Sequence, residues 1–558
     1  MKKLLPVLAI AIAGMQPLCA QVNKTTLVTK SPQIFRKAEF DIRLTETWSN
    51  PYLQEEIAVD MLLTSPSGKK LVLPCYYESG ESGSSSLWKA RFAPREKGKY
   101  NYVFRISKNG KIASSSKKSS FLSGNSSAKG FLNAKDNWTL QFDNGEAFRG
   151  LGENICWESR ANDDSKYFKA LHEQPKYNYE YMLPSLAKHG GNFFRTWIYS
   201  FNLPLDWKKG FNNNRYTATD KYFNPGAIAK IDRMFDLSDS LGLYVMLTLG
   251  MGAYHVNEGG FSPSADDFFV NPLSKQRYKN RLRYFIARWG YSTSVGMWEL
   301  FNEVDNVQFR NKEKPISATS IVQWHDEMST YIKETDPYQH IVTTSISHRD
   351  LEGLNSLKYI DINQKHIYKN TASIPATVAQ YEQQFGKPYV IGEFGYEWDW
   401  SKNFDDFADG MDSDFKRGLW YGLFAPTPVL PLSWWWEYFD NRGTDAYLLH
   451  VRSVMDQMLK AGKGDFKPLN ATVEDPGIVK YAMKCGDMAF VYVYNPGTTD
   501  KKIDLQLNVS SQNKESGIYW CENGNTSSAS ITQKGDTIGW NDLNLPAGMD
   551  AVLSVRVN

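Results

Sequence analysis

The sequence predicts a multidomain protein in which a central (β/α)8 TIM barrel is flanked by two β-sandwich domains. The chain has 558 residues, which is too long for one hydrophobic core. In its middle part, short apolar segments typical of buried strands alternate with amphipathic helical segments. At both ends the helical pattern is missing, and short strand-like segments are separated by turn residues.

The predicted barrel occupies residues 130–462. Amphipathic helices are expected at about residues 226–240, 274–289 and 374–384. The eight strand candidates, in chain order, are EAFRGLGEN, NFFRTWIY, GLYVMLTLG, VGMWELFNE, HIVTTSIS, IDINQKHIY, KPYVIGEFG and VLPLSWWWEYFD. This count and alternation are typical of a (β/α)8 barrel, whose active site lies at the carboxyl ends of the strands.

The flanking regions read as β-structure. Residues 21–125 contain alternating segments such as FDIRLTETW and GKYNYVFRI, with turns such as Ser67-Gly68, and predict an N-terminal immunoglobulin-like sandwich. A serine- and lysine-rich segment at residues 113–129 is predicted to be a linker. Residues 463–558 predict a C-terminal β-sandwich.

Residues 1–20 predict a signal peptide. Lys2 and Lys3 precede an apolar stretch that is too short to span a membrane. We therefore expect a bacterial protein that is secreted, periplasmic or on the cell surface, without a membrane span. Lipoprotein anchoring at Cys19 is a less favoured alternative, because Leu18 stands where a small residue is usually needed.

Charge and cysteine usage narrow the function classes. The formal net charge of +3 gives no electrostatic reason to expect nucleic acid or a membrane as partner. The spacings CxxC and HExxH are absent from the sequence, so a structural zinc site is not expected. Cys485 and Cys521 share a predicted domain, and their disulfide state stays open.

Two glutamates stand where apolar strands end. Glu303 closes the fourth strand and Glu393 closes the seventh. These strands lie across the mouth of a barrel from each other, and two carboxylates there can cleave a glycosidic bond. Glu393 is the predicted nucleophile and Glu303 the predicted acid and base. Glu299 lies within the fourth strand and is predicted to be a structural partner of Arg195 or of a backbone amide.

Other residues near the strand ends are predicted to bind the substrate or support the pair. Arg195 is expected to lower the pKa of Glu393, whereas an acid at Glu303 needs a raised pKa. Asn302 is expected to bond the sugar 2-hydroxyl, and Tyr368 to hydrogen-bond the nucleophile. The complete predicted substrate-binding set is Asn302, Arg195, His366, Tyr368, Trp434, Trp436, His255 and Asn154.

Some of these assignments have structural alternatives. Strand side chains alternate, so the tryptophans at 434–436 cannot all face a sugar, and Trp434 and Trp436 are preferred. Asn154 can equally cap the loop after the first strand. His325 lies on a predicted helix and is expected at the surface.

The pairing of WELFNE with IGEFG resembles clan A of the glycoside hydrolases, especially family 5. FFRTW, KHIY and the eighth-strand tryptophans are similar to the family pattern, and RFAPREKGKYNY is similar to an immunoglobulin-like module that precedes such barrels. The resemblance covers residues 133–462, although MGAYHVN around His255 departs from the usual third strand. It implies a retaining β-glycoside hydrolase without cofactor or metal, which cleaves a polysaccharide or oligosaccharide by double displacement.

Two other functions stay open at this stage. One is a carbohydrate-binding surface protein with an inactive barrel, which the presence of both glutamates disfavours. The other is a transglycosylase, which needs the same residues and differs only in its acceptor. Mannan, glucan and galactan are all admissible substrates, and neither the mode of cleavage nor the oligomeric state follows from the sequence.

Overall fold

The computed structural model describes residues 21–250, 262–309 and 313–558. In these ranges the chain forms a β-sandwich, a parallel α/β barrel and a second β-sandwich, in that order. The predicted fold class is therefore confirmed. The predicted signal peptide, together with His255, lies outside the described residues.

The first sandwich consists of antiparallel strands. They are β1 (Gln21–Leu27), β2 (Ala38–Thr45), β3 (Ile57–Thr64), β4 (Lys70–Pro74), β5 (Tyr76–Ser79), β6 (Ser85–Phe92), β7 (Gly98–Lys108), β8 (Lys111–Ser115) and β9 (Ser119–Ser123). One sheet has the order β1-β2-β6-β5 and the other β4-β3-β7-β8, with β9 also paired to β7. Alternate side chains such as Phe40, Trp88 and Phe104 fill the core between the sheets.

The linker predicted at residues 113–129 is wrong, because β9 and part of β8 lie within it. Most of the serines and lysines are exposed or partly exposed, whereas Phe121 is buried and stacks on Tyr100 with ring centroids 5.2 Å apart. Phe121 is the one buried apolar side chain of β9, so the sequence does not show the alternation of apolar and polar residues that is typical of a strand.

An antiparallel meander closes one end of the barrel. Its strands are β10 (Leu132–Ala134), β11 (Leu140–Phe142) and β12 (Ala147–Phe148). Phe142 and Phe148 belong to one apolar cluster with Phe193 and Val390, which lie at the starts of barrel strands. The meander thus covers the end of the barrel opposite the carboxyl ends of its strands.

The barrel strands alternate with helices along the chain. The elements are β13 (Gly152–Asn154), α1 (Lys169–His172), α2 (Tyr179–Lys188), β14 (Phe193–Trp197), α3 (Pro225–Leu241), β15 (Tyr244–Thr248), α4 (Ala265–Val270), α5 (Pro272–Trp289), β16 (Val295–Glu299), α6 (Val304–Gln308), α7 (Ala318–Thr335), β17 (Val342–Thr343), β18 (Ser345–Ile346), β19 (Asn363–Tyr368), α8 (Ile374–Phe385), β20 (Tyr389–Gly395), α9 (Ala408–Leu423), α10 (Trp436–Arg442) and α11 (Leu448–Gly462). β13 to β17 pair in parallel in chain order, as do β18 to β20. β17 and β18 share the fifth position and flank Thr344.

The eighth position of the barrel is shorter than predicted. Parallel bridges join Val429 to Gly150, and Ser433 to both Glu153 and Phe394, which closes the ring between the first and seventh strands. The tryptophan run does not continue this strand. Trp435 has a left-handed backbone with φ of 69°, and Trp436 begins α10.

His325 is fully buried, so its predicted surface position is wrong. It lies on the apolar face of α7, where Nδ1 is 2.8 Å from the Ile321 carbonyl oxygen and Nε2 is 3.0 Å from Thr344 Oγ1. Burial lowers the pKa of His325 to about 4, so the ring is neutral at physiological pH.

The second sandwich follows α11. Its strands are β21 (Phe466–Leu469), β22 (Ala471–Val473), β23 (Val479–Cys485), β24 (Met488–Tyr494), β25 (Lys501–Leu507), β26 (Glu515–Trp520), β27 (Thr526–Ser530), β28 (Thr532–Lys534), β29 (Thr537–Leu545) and β30 (Asp550–Arg556). They form the sheets β21-β23-β24-β30-β26-β27 and β22-β25-β29-β28. Arg417 of α9 forms an ion pair with Asp550, which ties this sandwich to the barrel.

Cys485 and Cys521 are both buried and are not bonded to each other, and Cys75 and Cys156 are free as well. Across the described ranges, every helix is too short or too polar to cross a membrane.

Candidate active site

A cleft of about 610 Å³ opens at the carboxyl ends of the barrel strands. Its polar floor includes Asn302, Glu303, Tyr368 and Glu393, which come from three different strand ends. The residues that line it are Trp157, Arg160, Trp197, Tyr199, Phe201, Asn302, Glu303, Asn306, Ser347, His348, Tyr368, Glu393, Trp398, Trp400 and Trp434. A deep cleft with converging carboxylates and broad aromatic walls is suited to a ligand with both hydroxyl groups and apolar faces.

The two predicted glutamates meet at the floor of this cleft. One carboxylate oxygen of Glu303, one of Glu393 and a ring nitrogen of His366 all lie within 4.8 Å of one another. Glu393 is 4% exposed, whereas the Glu303 side chain is 21% exposed and is the more open to the cleft. The fourth and seventh strands therefore bring their carboxylates together, as the barrel geometry requires.

Arg195 lies beneath the pair and connects three strands. Its Nη1 donates to Glu393 Oε1 at 2.7 Å, and its Nη2 donates to Asn302 Oδ1 at 2.6 Å. Nε and Nη2 hold Glu299 in a two-pronged ion pair at 2.6 and 2.9 Å. Glu299 also accepts from Thr248 Oγ1 at 2.7 Å, which confirms it as a structural partner of Arg195.

Tyr368 and His366 both lie on β19 and contact the two carboxylates. The Tyr368 hydroxyl donates to Glu393 Oε2 at 2.6 Å, as predicted. His366 Nδ1 is 2.8 Å from Glu303 Oε1 and 3.4 Å from Glu393 Oε2. The second Glu303 oxygen accepts from Asn306 Nδ2 at 2.9 Å. Each carboxylate is thus held through both oxygens, which fixes its orientation.

The backbone at Glu303 is strained. Its φ of 49° and ψ of 52° are left-handed, which side chains other than glycine adopt only at a cost. The Glu303 amide donates to Ser345 Oγ at 2.9 Å, and α6 begins at the next residue. This turn directs the Glu303 side chain into the cleft rather than along the sheet.

The pKa shifts of the pair are opposite to those expected from the sequence. Burial raises the pKa of Glu393, even though His366 and Arg195 act to lower it. Burial also opposes the charge of Glu303, but the hydrogen bond and charge of His366 outweigh it and lower the pKa of Glu303. The expected order of the two pKa values is wrong for the substrate-free site. Arg195 divides its charge between Glu393 and Glu299, and His366 lies nearer to Glu303 than to Glu393.

The other predicted binding residues lie at different depths. Trp434 lines the cleft, whereas Trp436 packs behind it on Trp157, with ring centroids 4.8 Å apart. Asn154 is fully buried, and its amide nitrogen donates to the carbonyl oxygens of Gly392, Leu432 and Ser433. Asn154 therefore connects the first, seventh and eighth strands and does not line the cleft.

Aromatic residues from the loops form most of the cleft wall, and the sequence analysis did not identify them. Trp157 follows the first strand, Trp197 ends the second and Tyr199 follows it, and Trp398 and Trp400 follow the seventh. Their position directly after strand ends, in ENICW and FGYEWDW, is the sequence feature that could have identified them. Trp398 is 52% exposed at the rim and offers an open face to a ligand.

Within the described ranges, one group of side chains has donor atoms close enough together to hold a metal ion. It consists of Glu303, His366 and Glu393. The carboxylate oxygens and His366 Nδ1 are hydrogen-bonded with one another and with Tyr368, Arg195 and Asn306.

The barrel and its cleft are those of a clan A glycoside hydrolase. Residues 160–408 match the family described as cellulase (glycosyl hydrolase family 5). Residues 31–107 match a family described only as a domain of unknown function, DUF5060. The predicted resemblance is confirmed by these matches.

Relatives with curated names match within the barrel. The chain is 22% identical over 274 residues to mannan endo-1,4-beta-mannosidase A of Podospora anserina, covering 42% of this chain and 70% of the relative. It is 26% identical over 244 residues to mannan endo-1,4-beta-mannosidase 3 of Arabidopsis thaliana, covering 39% and 51%. For the first three curated relatives, the match spans 30%, 70% and 51% of the relative's own length.

The whole architecture also has a solved counterpart. A crystal structure of a protein from Bacteroides vulgatus ATCC 8482 superposes with a TM-score of 0.66 at 14% identity, covering 95% of this chain and 100% of that chain. At this identity the likeness establishes the fold alone, and it extends over the barrel and both sandwiches.

Proposed function

We propose that the protein is a secreted retaining β-glycoside hydrolase in which Glu393 is the nucleophile and Glu303 the general acid and base. The observation that carries this proposal is the separation of the pair, since one carboxylate oxygen of Glu303 lies within 4.8 Å of one carboxylate oxygen of Glu393. Retaining enzymes hold their carboxyl groups about 5–5.5 Å apart, whereas inverting enzymes leave roughly 6.5–9.5 Å for a water molecule.

The contacts of Glu393 suit a nucleophile. Arg195 and Tyr368 each donate to one of its oxygens, and these donors favour the ionised carboxylate and fix its direction of attack. Glu393 would attack the anomeric carbon and form a covalent glycosyl-enzyme, while the glycosidic oxygen leaves with a proton from Glu303.

Glu303 suits the second role because it is the more exposed carboxylate and the more open to a leaving group. After the first step, ionised Glu303 would remove a proton from the incoming water, which attacks the glycosyl-enzyme and releases Glu393. Asn302 accepts from Arg195 through Oδ1, which leaves its amide N–H groups for the sugar 2-hydroxyl. Trp434 would support the apolar face of the sugar ring.

The substrate that we favour is a β-1,4-mannan. The support is that every curated relative that matches is named for mannan endo-1,4-beta-mannosidase activity. The long aromatic wall of the cleft is consistent with binding several successive sugar units, as internal cleavage of a polymer requires.

The roles of the two glutamates can be separated by azide rescue. Glu303→Ala should hydrolyse a dinitrophenyl β-mannoside with strongly reduced deglycosylation, and azide should restore turnover and yield the β-glycosyl azide. Glu393→Ala with azide should yield the α-glycosyl azide, because azide then replaces the nucleophile. Identification of the products by NMR tests the assignment, and identical anomers from both variants would refute it.

Export and domain organisation belong to the same proposal. The predicted signal peptide at residues 1–20 supports export. We place the domain boundaries at residues 21–125, 130–462 and 463–558, supported by the positions of β9, α11 and β21.

A further inference from the structure

A second cleft lies between the N-terminal sandwich and the barrel. Its volume is about 830 Å³, which exceeds the 610 Å³ of the catalytic cleft. The sandwich contributes residues 48–52 and 77–80 to its wall, and the barrel contributes residues 220–223 and the outer face of α3. The feature is separate from the catalytic carboxylates, and the proposed chemistry does not use it.

Aromatic side chains form a continuous surface in this cleft. Tyr52 stacks on Tyr222 across the domain boundary, with ring centroids 5.5 Å apart and an interplanar angle of 13°. Tyr77 meets Tyr52 edge to face at 5.5 Å, and Trp48 meets Tyr77 at 5.9 Å. All four rings are only partly buried, so each keeps surface open to the cleft.

These rings are held in place from behind. Tyr52 also packs against Phe223 at 5.0 Å and Tyr284 at 5.7 Å, both of which are buried. Arg288 forms an ion pair with Glu78 at 2.9 Å, and this pair closes one side of the cleft. A rigid aromatic surface loses little conformational entropy when a ligand binds, which favours a binding role over a loosely packed domain contact.

The charge of the cleft is balanced. The ionisable residues in its described lining are three basic and three acidic side chains, namely Lys208, Lys221, Arg288, Glu78, Asp220 and Asp232. Balanced charge gives no attraction for a polyanion or a polycation, and it favours a neutral ligand. In the described ranges, the Tyr52 and Tyr222 hydroxyls and the Trp48 indole N–H bond to no protein group, so they are available to ligand hydroxyls.

We propose that this interdomain cleft is a second binding site for a segment of a neutral polysaccharide chain. The inference rests on the proposed function, because a polymer substrate is what gives a second glycan site its use. Sugar rings combine apolar faces with hydroxyl groups, and the cleft offers aromatic faces with free polar tips. The site holds polymer near the enzyme and lowers the concentration needed for the catalytic cleft to fill.

One barrel loop contributes to both clefts. The chain between β14 and α3 lines the catalytic cleft through Tyr199 and Phe201, and it lines the interdomain cleft through Tyr222 and Phe223. The two sites are therefore connected through a single segment of 27 residues, from residue 198 to residue 224.

The test blocks the cleft without removing packed atoms. Ala229 is exposed on α3 and lines the cleft, so the indole of Ala229→Trp should obstruct it. Asp236→Trp is the matched control, because Asp236 is exposed on the same helix and does not line the cleft. Tyr222→Ala is a second variant that removes one aromatic face. All are made in the full chain with Glu393→Gln, so that polymers stay intact.

Binding is measured by native affinity electrophoresis in gels that contain galactomannan, glucomannan, β-glucan or xylan, each in turn. We expect Ala229→Trp and Tyr222→Ala to weaken binding to at least one polymer by about tenfold, equivalent to about 1.4 kcal/mol, and Asp236→Trp to bind normally. Thermal unfolding verifies that each variant is folded.

Unchanged retardation of both variants, or no retardation of the parent by any polymer, would overturn the inference. Failure of the proposed function would look different, since azide rescue would then fail in the otherwise unaltered chain. Binding is measured here without hydrolysis, so the two failures are distinguishable.

Discussion

Removal of the Tyr368 hydroxyl should change the pH dependence of the enzyme in a defined direction. The hydroxyl donates to Glu393 Oε2 at 2.6 Å, within the range of a strong charge-assisted bond. It favours the ionised carboxylate, so Tyr368→Phe should raise the pKa of Glu393 further above its ordinary value. The pKa of Glu393 already lies above that of Glu303 in the substrate-free site, so the alkaline limb of the activity profile follows Glu393. This limb should move to higher pH in Tyr368→Phe, and the plateau of activity should fall because less of the enzyme has Glu393 ionised while Glu303 is protonated.

The size of the shift follows from the strength of the bond. A hydrogen bond to a charged group contributes about 1.5–3 kcal/mol, which corresponds to roughly one to two pKa units. His366 Nδ1 lies 3.4 Å from the same oxygen and can partly replace the lost donor. We therefore expect the alkaline limb of kcat/KM to move up by about one unit rather than two, and the plateau to fall about tenfold.

The assay is kcat/KM for a soluble mannan or a mannoside across the pH range, because this parameter reports the ionisation of the free enzyme. Tyr389→Phe is the matched control. Tyr389 lies on the same strand as Glu393, and its buried hydroxyl has no hydrogen-bond partner in the described protein. An alkaline limb that stays in place in Tyr368→Phe, or that moves equally in Tyr389→Phe, would refute the reasoning.

Two further perturbations test other contacts. His366→Ala should raise the pKa of Glu303 and also that of Glu393, so both limbs of the kcat/KM profile should move to higher pH. A shift of the alkaline limb alone would contradict the assigned hydrogen bond to Glu303. Arg417→Ala leaves Asp550 buried without its charged partner. We expect the free energy of unfolding to fall by about 3–5 kcal/mol, measured by calorimetry or urea titration. Lys416→Ala is the control on the same helix, since its ion pair is more exposed and should contribute only about 0–1 kcal/mol; equal effects of the two variants would count against the buried pair.

The strand-end residues were the part of the site that the sequence could predict. Glu303 and Glu393 follow apolar runs with short, regular spacing, and barrel geometry then determines where their side chains meet. Glu299 was predicted as a partner of Arg195, because a glutamate inside a buried strand needs a positive neighbour. The apolar pattern of the strands, the geometry of a barrel and the cost of burying a charge were sufficient to predict where these residues lie.

The loops and the local turns were not predictable in the same way. Trp157 and Trp400 reach the cleft through loops whose paths depend on tertiary contacts, such as the stacking of Arg160 over both rings at 5.0 and 5.5 Å. The left-handed backbone at Trp435 ends the eighth strand, although no glycine marks the turn. His325 had a visible sequence cue, because it is four residues after Ile321 on the apolar face of its helix.

The buried Arg195 cluster is better explained by geometry than by stability. Arg195 and Glu299 are both fully buried, and a buried ion pair is often no more stable than apolar residues of similar volume. Its guanidinium has a fixed planar shape, so contacts with Glu299 on one side and Glu393 on the other set the position of the nucleophile relative to the fourth strand. Asn302 is bound by the same guanidinium, and the two groups proposed to act on one sugar are therefore oriented by a single side chain. Lysine at position 195 retains the charge but has no planar fork, and for this reason it cannot reproduce the arrangement.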